Sequence, residues 1–154
     1  MAEPAVRHWN AVLRVFRYLK GTLHYRLSYR FGPQNELSLI GFTNADYAGG
    51  SDRASVSAYV FTLRGAAIAW SSKKQCTIST LTVEAEYIAL CTGAKQAVWL
   101  QELFLELGQY RFLLEQPGNP VLIYSDNQGA LALVDNPENH QRTKHIDVQY
   151  HYIR

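Results

Sequence analysis

Apolar residues recur at helical spacing over one long stretch, Thr80 to Gly108. Val83, Tyr87, Leu90, Ala94, Ala97 and Val98 form a stripe that Leu100, Phe104 and Leu107 continue. Thr80 or Thr82 can cap its start, and Gly108 stands where a helix ends. The spacing predicts one helix of about seven turns at roughly 3.6 residues per turn. Upstream, Val6, Trp9, Leu13, Phe16 and Leu19 predict a first helix, with Pro4 in its first turn and Gly21 at its end. Strands are predicted at His24 to Phe31, Leu37 to Phe42, Val56 to Leu63 and Ala66 to Ser71. Turns fall at Gly32-Pro33, Gly49 to Asp52 and Arg64-Gly65. After a loop over Tyr110 to Pro120 come a compact apolar strand, Val121 to Tyr124, a short helix, Gly129 to Val134, and a last helix, Thr143 to Arg154. Strands close in sequence predict an antiparallel meander. Strands first grouped and then alternating with helices predict an α/β fold, a mixed sheet with helices packed on it.

Composition narrows the class. The 154 residues suffice for one domain with a core, and the hydrophobic fraction of 47% with 18% charged residues is that of a globular protein. The net charge of +2 is compatible with nucleic acid without arguing for it. Cys76 and Cys91 give neither a disulfide framework nor metal spacing, and Cys91 reads as a small core residue. No signal peptide and no long apolar run is present, so the expectation is an intracellular chain, cytoplasmic or nuclear, with no membrane association.

Acidic residues mark the candidate chemistry. Asp46 lies at or just beyond a strand end, Asp126 ends the Val121 to Tyr124 strand, and Glu86 lies near the start of the long helix, at the border of its stripe, with Glu84 further out. In open α/β sheets, sites form outside the carboxyl ends of strands. Carboxylates gathered there suit Mg²⁺, and paired ions can stabilise the attacking and leaving oxygens of phosphoryl transfer. The structural alternatives are a rim charge for Glu86 and a helix cap for Asp126. His140, His145 and His151 lack zinc spacing, and Ser125-Asp126 has no partners for a triad.

Eight motifs occur in order: Asn44-Ala45-Asp46-Tyr47-Ala48-Gly49-Gly50, Tyr59-Val60-Phe61-x-Leu63, Ser71-Ser72-Lys73-Lys74-Gln75, Glu84-Ala85-Glu86-Tyr87, Trp99-Leu100, Asp126-Asn127, Asn136-Pro137 and Lys144-His145-Ile146-Asp147. In this series the chain resembles copia-type retrotransposon RNase H domains, and Tyr18-Leu19-Lys20-Gly21-Thr22 resembles the tail of the preceding reverse transcriptase. The resemblance covers nearly the whole chain. It implies an RNase H-like fold, with residues 1–22 as the reverse-transcriptase connection and 23–154 as the RNase H-like domain. It also implies an ancestral Mg²⁺-dependent cleavage of RNA in RNA–DNA hybrids, with Mn²⁺ as the alternative ion.

The implied acidic site has gaps. The family's first Asp is Asn44 here, its helix carboxylate is Glu86 and its next strand Asp is Asp126. Its fourth Asp would lie beyond Arg154, after a last strand that the chain stops short of. Two Mg²⁺ ions carry four positive charges and two carboxylates leave them poorly neutralised, so the expectation is a metal weakly bound or absent. Asn44 offers a carbonyl oxygen without charge. Asp46 faces the same side of the strand and is the substitute ligand, though about 6.6 Å along the strand is far. Leu81 stands where the family has Ser, so the capping box to Glu84 is lost. Val56 and Ala58 replace Thr and Gly, and Cys76 replaces Pro.

Lys73, Lys74, Asn127, Gln128, Arg142, Lys144 and His145 are the candidate contacts to phosphates, against a solvated face as the structural alternative. The predicted function is a weak or inactive RNase H-type domain. The alternative is a non-catalytic module that binds hybrid or duplex nucleic acid, or a protein. The run Val121 to Tyr124, left as a sheet edge, further predicts a homodimer.

Overall fold

The computed structural model describes residues 3, 5–29, 39–49, 53–76, 78–79, 81–108 and 120–135. The chain forms α1 (Val6–Gly21), β1 (Ile40–Asp46), β2 (Val56–Leu63), β3 (Ala66–Lys74), α2 (Thr82–Glu106), β4 (Leu122–Tyr124) and α3 (Gln128–Asp135). This is a mixed α/β fold around a four-stranded sheet of order β3-β2-β1-β4. The meander holds: β1 pairs antiparallel with β2, and β2 with β3. Arg64 and Gly65 both take positive φ, 53° and 79°, as a two-residue hairpin turn demands. The chain then crosses through α2 and returns as β4, parallel to β1. As a result β1, β3 and β4 all run in one direction and end at one end of the sheet.

Alternation within the strands sets the layers. Gly41, Thr43 and Ala45 of β1 are buried, while Phe42, Asn44 and Asp46 are exposed. The buried set lies under α2. Leu39, Phe61, Ala97 and Leu100 form the main core, with Tyr59, Ile68, Phe104, Val121 and Ile123 packed around it. A second cluster, Tyr87, Cys91 and Ala130, fastens α3 to α2. Helix and strand approach closely at Gly93, where an added Cβ would sit 2.5 Å from the Thr43 methyl. Gly93→Ala is therefore expected to destabilise by about 1–3 kcal/mol through overpacking, despite the gain of roughly 1 kcal/mol in helix propensity. Thr43→Ser removes that methyl and should recover most of the loss in a double-mutant cycle read by urea unfolding. Additive effects would show that the contact is not the cause.

Several expectations are corrected. Residues 24–29 form a turn and irregular chain, not a strand: they are exposed and join no ladder, and Tyr29 instead donates its hydroxyl to the Ala67 carbonyl at 2.9 Å. β1 begins and ends later than Leu37 to Phe42, placing Asn44 and Asp46 inside it. β3 extends to Lys74, since Lys73 and Lys74 pair with Ser57 and Val56. α1 starts at Val6 behind its N-cap Ala5, and Pro4 lies outside the described residues. The Ala5 N–H is met by His8 Nδ1 at 2.9 Å.

The long helix is capped by Leu81 rather than Thr80 or Thr82. The Glu84 carboxylate still accepts the Leu81 N–H at 3.3 Å, so only the hydroxyl half of the capping box is gone, because a leucine has no oxygen to offer. At its other end Gly108, with φ of 63°, makes the expected left-handed stop. Val121 to Tyr124 is not an exposed apolar run throughout: Val121 and Ile123 pack on the core, and only Leu122 and Tyr124 face outward. Among the described residues β4 is nonetheless an edge. The loop expected over Tyr110 to Pro120 (except Pro120) and the helix Thr143 to Arg154 lie outside the described residues.

Candidate functional site

The polar candidates gather where β1, β3 and β4 end. Asn44 and Asp46 lie at the end of β1, Lys73 and Lys74 at the end of β3, and Asp126 just past β4. α2 and α3 both start at this end, bringing Glu86, Asn127 and Gln128 with them. An open cleft of about 450 Å³ is lined by Phe42, Asn44, Ala58, Tyr124, Ser125 and Asp126, among others. Asn44 and Asp126 thus share one cavity. Ala58, the cross-strand partner of Asn44, puts a methyl into it.

Glu86 is the central group. It is 6% exposed, not a rim charge, and Glu84 is buried as well at 3%. A single apolar stripe does not predict this, because the first turns of α2 are enclosed from several sides. The sheet lies under them, α3 packs beside Tyr87, and Gln75 closes the start. The Glu86 carboxylate is held by the backbone N–H of Ala45. Its Oε2 is buried without a hydrogen-bond partner. Burial raises its pKa above the ordinary glutamate range, the Ala45 hydrogen bond opposes this, and the Asp126 charge raises it further. Glu86 and Asp126 are therefore close enough to repel. A buried carboxylate oxygen with no hydrogen-bond partner, beside a second carboxylate, is a donor set that fits one hard divalent cation. It does not fit two. Among the described residues no three His, Cys, Asp or Glu side chains form a metal-holding group.

Asp126 does not cap α3. Asn127 does, its Oδ1 accepting the Ala130 N–H at 2.9 Å. That removes the structural alternative for Asp126 and commits the Asn127 oxygen to the helix. Gln128 is exposed at the helix start. Asp46 is turned elsewhere: its carboxylate lies against Gly49 in the β1–β2 loop, and Asp46 is not among the residues lining the cleft. Lys73 and Lys74 are exposed on the far edge strand, roughly 14 Å from β4 at about 4.8 Å per strand. Arg142, Lys144 and His145 lie outside the described residues.

Sequence reading missed Gln75 as a positioning group. It is buried, donates Nε2–H to Ser57 Oγ (2.8 Å) and to the Ala85 carbonyl (2.9 Å), and accepts the Ser79 hydroxyl at 2.8 Å. These bonds tie β2 to the turn of α2 that carries Glu84 and Glu86. The Ser-Ser-Lys-Lys-Gln motif held the signal, but nothing in it distinguishes a buried amide from a solvated one. Gln75→Leu leaves several buried polar groups unmet and should cost about 2–4 kcal/mol, each orphan group contributing roughly 1–3. Chemical denaturation measures it, and a loss below 0.5 kcal/mol, about the ordinary surface effect, would show the network to be incidental.

The fold is a mixed α/β domain whose acid pair, Glu86 and Asp126, lies at the carboxyl end of the sheet. No protein-family model matches the chain. Over its whole length the chain is 41% identical to the retrovirus-related Pol polyprotein from transposon TNT 1-94 of Nicotiana tabacum, and 40% identical to that from transposon RE2 of Arabidopsis thaliana. It spans 11% and 10% of those polyproteins. It is also 41% identical over 100 residues to secreted RxLR effector protein 161 of Plasmopara viticola, covering 64% of the chain and 69% of that protein. The chain belongs to the copia-type retrotransposon Pol family. Among the described residues no helix is long and apolar enough to cross a membrane.

Proposed function

We propose that the chain is an RNase H-like domain with a weakened acidic site that engages RNA–DNA hybrid or duplex nucleic acid and cleaves hybrid poorly. On this reading residues 1–22 are the reverse-transcriptase connection and 23–154 the RNase H-like domain. The observation that carries it is the buried Glu86 carboxylate, its Oε2 unmet, facing the charge of Asp126 across the end of β1 where Asn44 supplies no charge. Such a group is costly to keep and is explained by a cation it holds. Glu86 and Asp126, with the Asn44 carbonyl oxygen, would bind one Mg²⁺ or Mn²⁺, and Asp46 would enter only by leaving Gly49. A cation bound there supplies Lewis-acid stabilisation of a phosphoryl oxygen. The protein's own part is to fix Glu86 through Ala45 and Gln75 and to orient the nucleic acid.

Lys73 and Lys74 on one edge, and Gln128 with the Asn127 amide on the other, flank the acids at the spacing of a strand lying across the sheet end. Arg142, Lys144 and His145 would add phosphate contacts. The β4 edge would accept a strand from a second copy.

The test is a hybrid-cleavage assay in Mg²⁺ and in Mn²⁺, run beside equilibrium binding. Cleavage should be near background while hybrid binding is measurable and falls with salt. Lys73→Ala with Lys74→Ala should weaken binding at 100 mM salt by about tenfold and flatten the log–log salt slope by roughly two, as for two released counterions. Absence of binding at low salt removes the nucleic-acid reading.

A further inference from the structure

A second concave surface shares no lining residue with the acidic cleft. It is a groove of about 470 Å³ between α2, β4 and α3. Leu90, Ala94 and Val98 line it from α2, Leu131 and Val134 from α3, and Ile123 from β4. Apart from Gln101, every lining residue is apolar. The lining of α2 runs from Leu90 to Gln101, about 17 Å at roughly 1.5 Å per residue. One side of the groove is lightly built. α3 has eight residues, is fastened to α2 by Tyr87, Cys91 and Ala130, and leaves Leu131 38% exposed. The same helix begins two residues after Asp126, so the seat of α3 sets where Asp126 stands against Glu86.

We propose that the chain's own segment Thr143 to Arg154 fills this groove as a helix laid along α2, and that it clamps α3 and with it Asp126. Residues 136–154 lie outside the described residues, and their sequence supplies the fit. Ile146, Tyr150 and Ile153 stand at i, i+4 and i+7, one apolar stripe, with Lys144, Asp147 and His151 off it. As a helix the segment would measure about 18 Å at roughly 1.5 Å per residue, which matches the α2 lining. Residues 136–142 can stretch to about 24 Å. α3 is only about 12 Å long, so the link from Asp135 reaches either end of the groove. A tether this short holds the segment at an effective concentration on the order of millimolar, which a second copy does not reach in dilute solution. Residues 109–119 are a poorer occupant. They leave α2 at Gly108 and return at Pro120, so both their ends lie at the end of the groove remote from Leu90. Their Phe112, Leu113 and Leu114 are consecutive, not helically spaced. Seating the stripe removes two apolar surfaces from water at once. The clamp would hold Asp126 whether or not a cation is bound.

The experiment is amide hydrogen exchange of the full chain, read by mass spectrometry at several protein concentrations. Amides of residues 143–154 and of α3 should be protected together, and equally at every concentration. Ile146→Asp with Ile153→Asp should lower the protection of both by about tenfold or more. Val148→Asp, the same change on the opposite side of the helix, should alter neither. A synthetic peptide of residues 143–154 added to the double variant should restore the protection of α3, and Leu131→Asp should abolish that rescue. Unprotected exchange of residues 143–154 in the unsubstituted chain overturns the proposal without any variant. So does protection of α3 that survives Ile146→Asp with Ile153→Asp. Protection that rises with protein concentration overturns it too, by putting a second copy in the groove.

Discussion

Asn44→Asp is expected to raise Mg²⁺-dependent cleavage of RNA–DNA hybrid by about ten- to hundredfold over the unsubstituted chain. The reasoning is electrostatic. A unit charge about 4 Å from another contributes roughly 4 kcal/mol at an effective dielectric of 20, and each 1.4 kcal/mol is about tenfold in affinity. Close to a thousandfold in cation affinity is therefore the ceiling. The gain falls short of it because the Asn44 carbonyl already presents a dipole to the cleft, and because three carboxylates still do not balance two divalent ions. Without a divalent cation the same substitution should lower stability, since a third carboxylate would join Glu86 and Asp126 at the end of β1, where those two already repel. The pair of opposite effects, less stable without Mg²⁺ and more active with it, distinguishes a ligand position from a merely solvated one. Strong cleavage by the unsubstituted chain that Glu86→Gln or Asp126→Asn abolishes would falsify the weakened-site reading and make Asp46 the substitute ligand.

The parts of the fold legible in the sequence are those with local causes. β2 matches its predicted bounds between two turn signals residue for residue, and α2 departs only at its ends, where the N-cap is a leucine that no capping rule selects. The segment 24–29 fails because strand-forming residues before a turn do not by themselves supply a partner strand. The site was legible as a set of residues and not as an environment. Periodicity put Glu86 on a border and Glu84 further out, yet both are buried, because enclosure by α3 and Gln75 depends on contacts distant in sequence. Asp126 carried two readings that only the position of Asn127, one residue on, could separate. The orphaned Oε2 of Glu86 has no sequence signature at all, since it records what is missing around an atom.

Glu86→Gln should make the protein more stable at neutral pH, by about 1–2 kcal/mol, because a neutral amide, though its Nε2 is left unmet in turn, costs less to bury than a carboxylate. Burial and the Asp126 charge raise the pKa of Glu86 in the folded state above its value in the unfolded chain. The folded state therefore binds the proton more tightly, and the linked stability is fully present below the unfolded pKa and lost as pH rises through the folded one. The unsubstituted protein should accordingly lose stability as pH climbs out of the ordinary glutamate range, until Glu86 is ionised in both states. The glutamine side chain of the variant keeps an oxygen for the Ala45 N–H, carries no charge for Asp126 to oppose, and should not show that loss. In thermal melts from pH 4 to 8 the two curves should converge at the acid end and separate by about 2–6 °C at neutrality. Mg²⁺ should then close the gap from the other side, stabilising the unsubstituted protein by mass action and leaving the variant unmoved. Curves that stay parallel across the range, or a variant less stable at pH 7, would mean that Glu86 is held by the fold as an ordinary structural carboxylate and that no cation is needed to account for it.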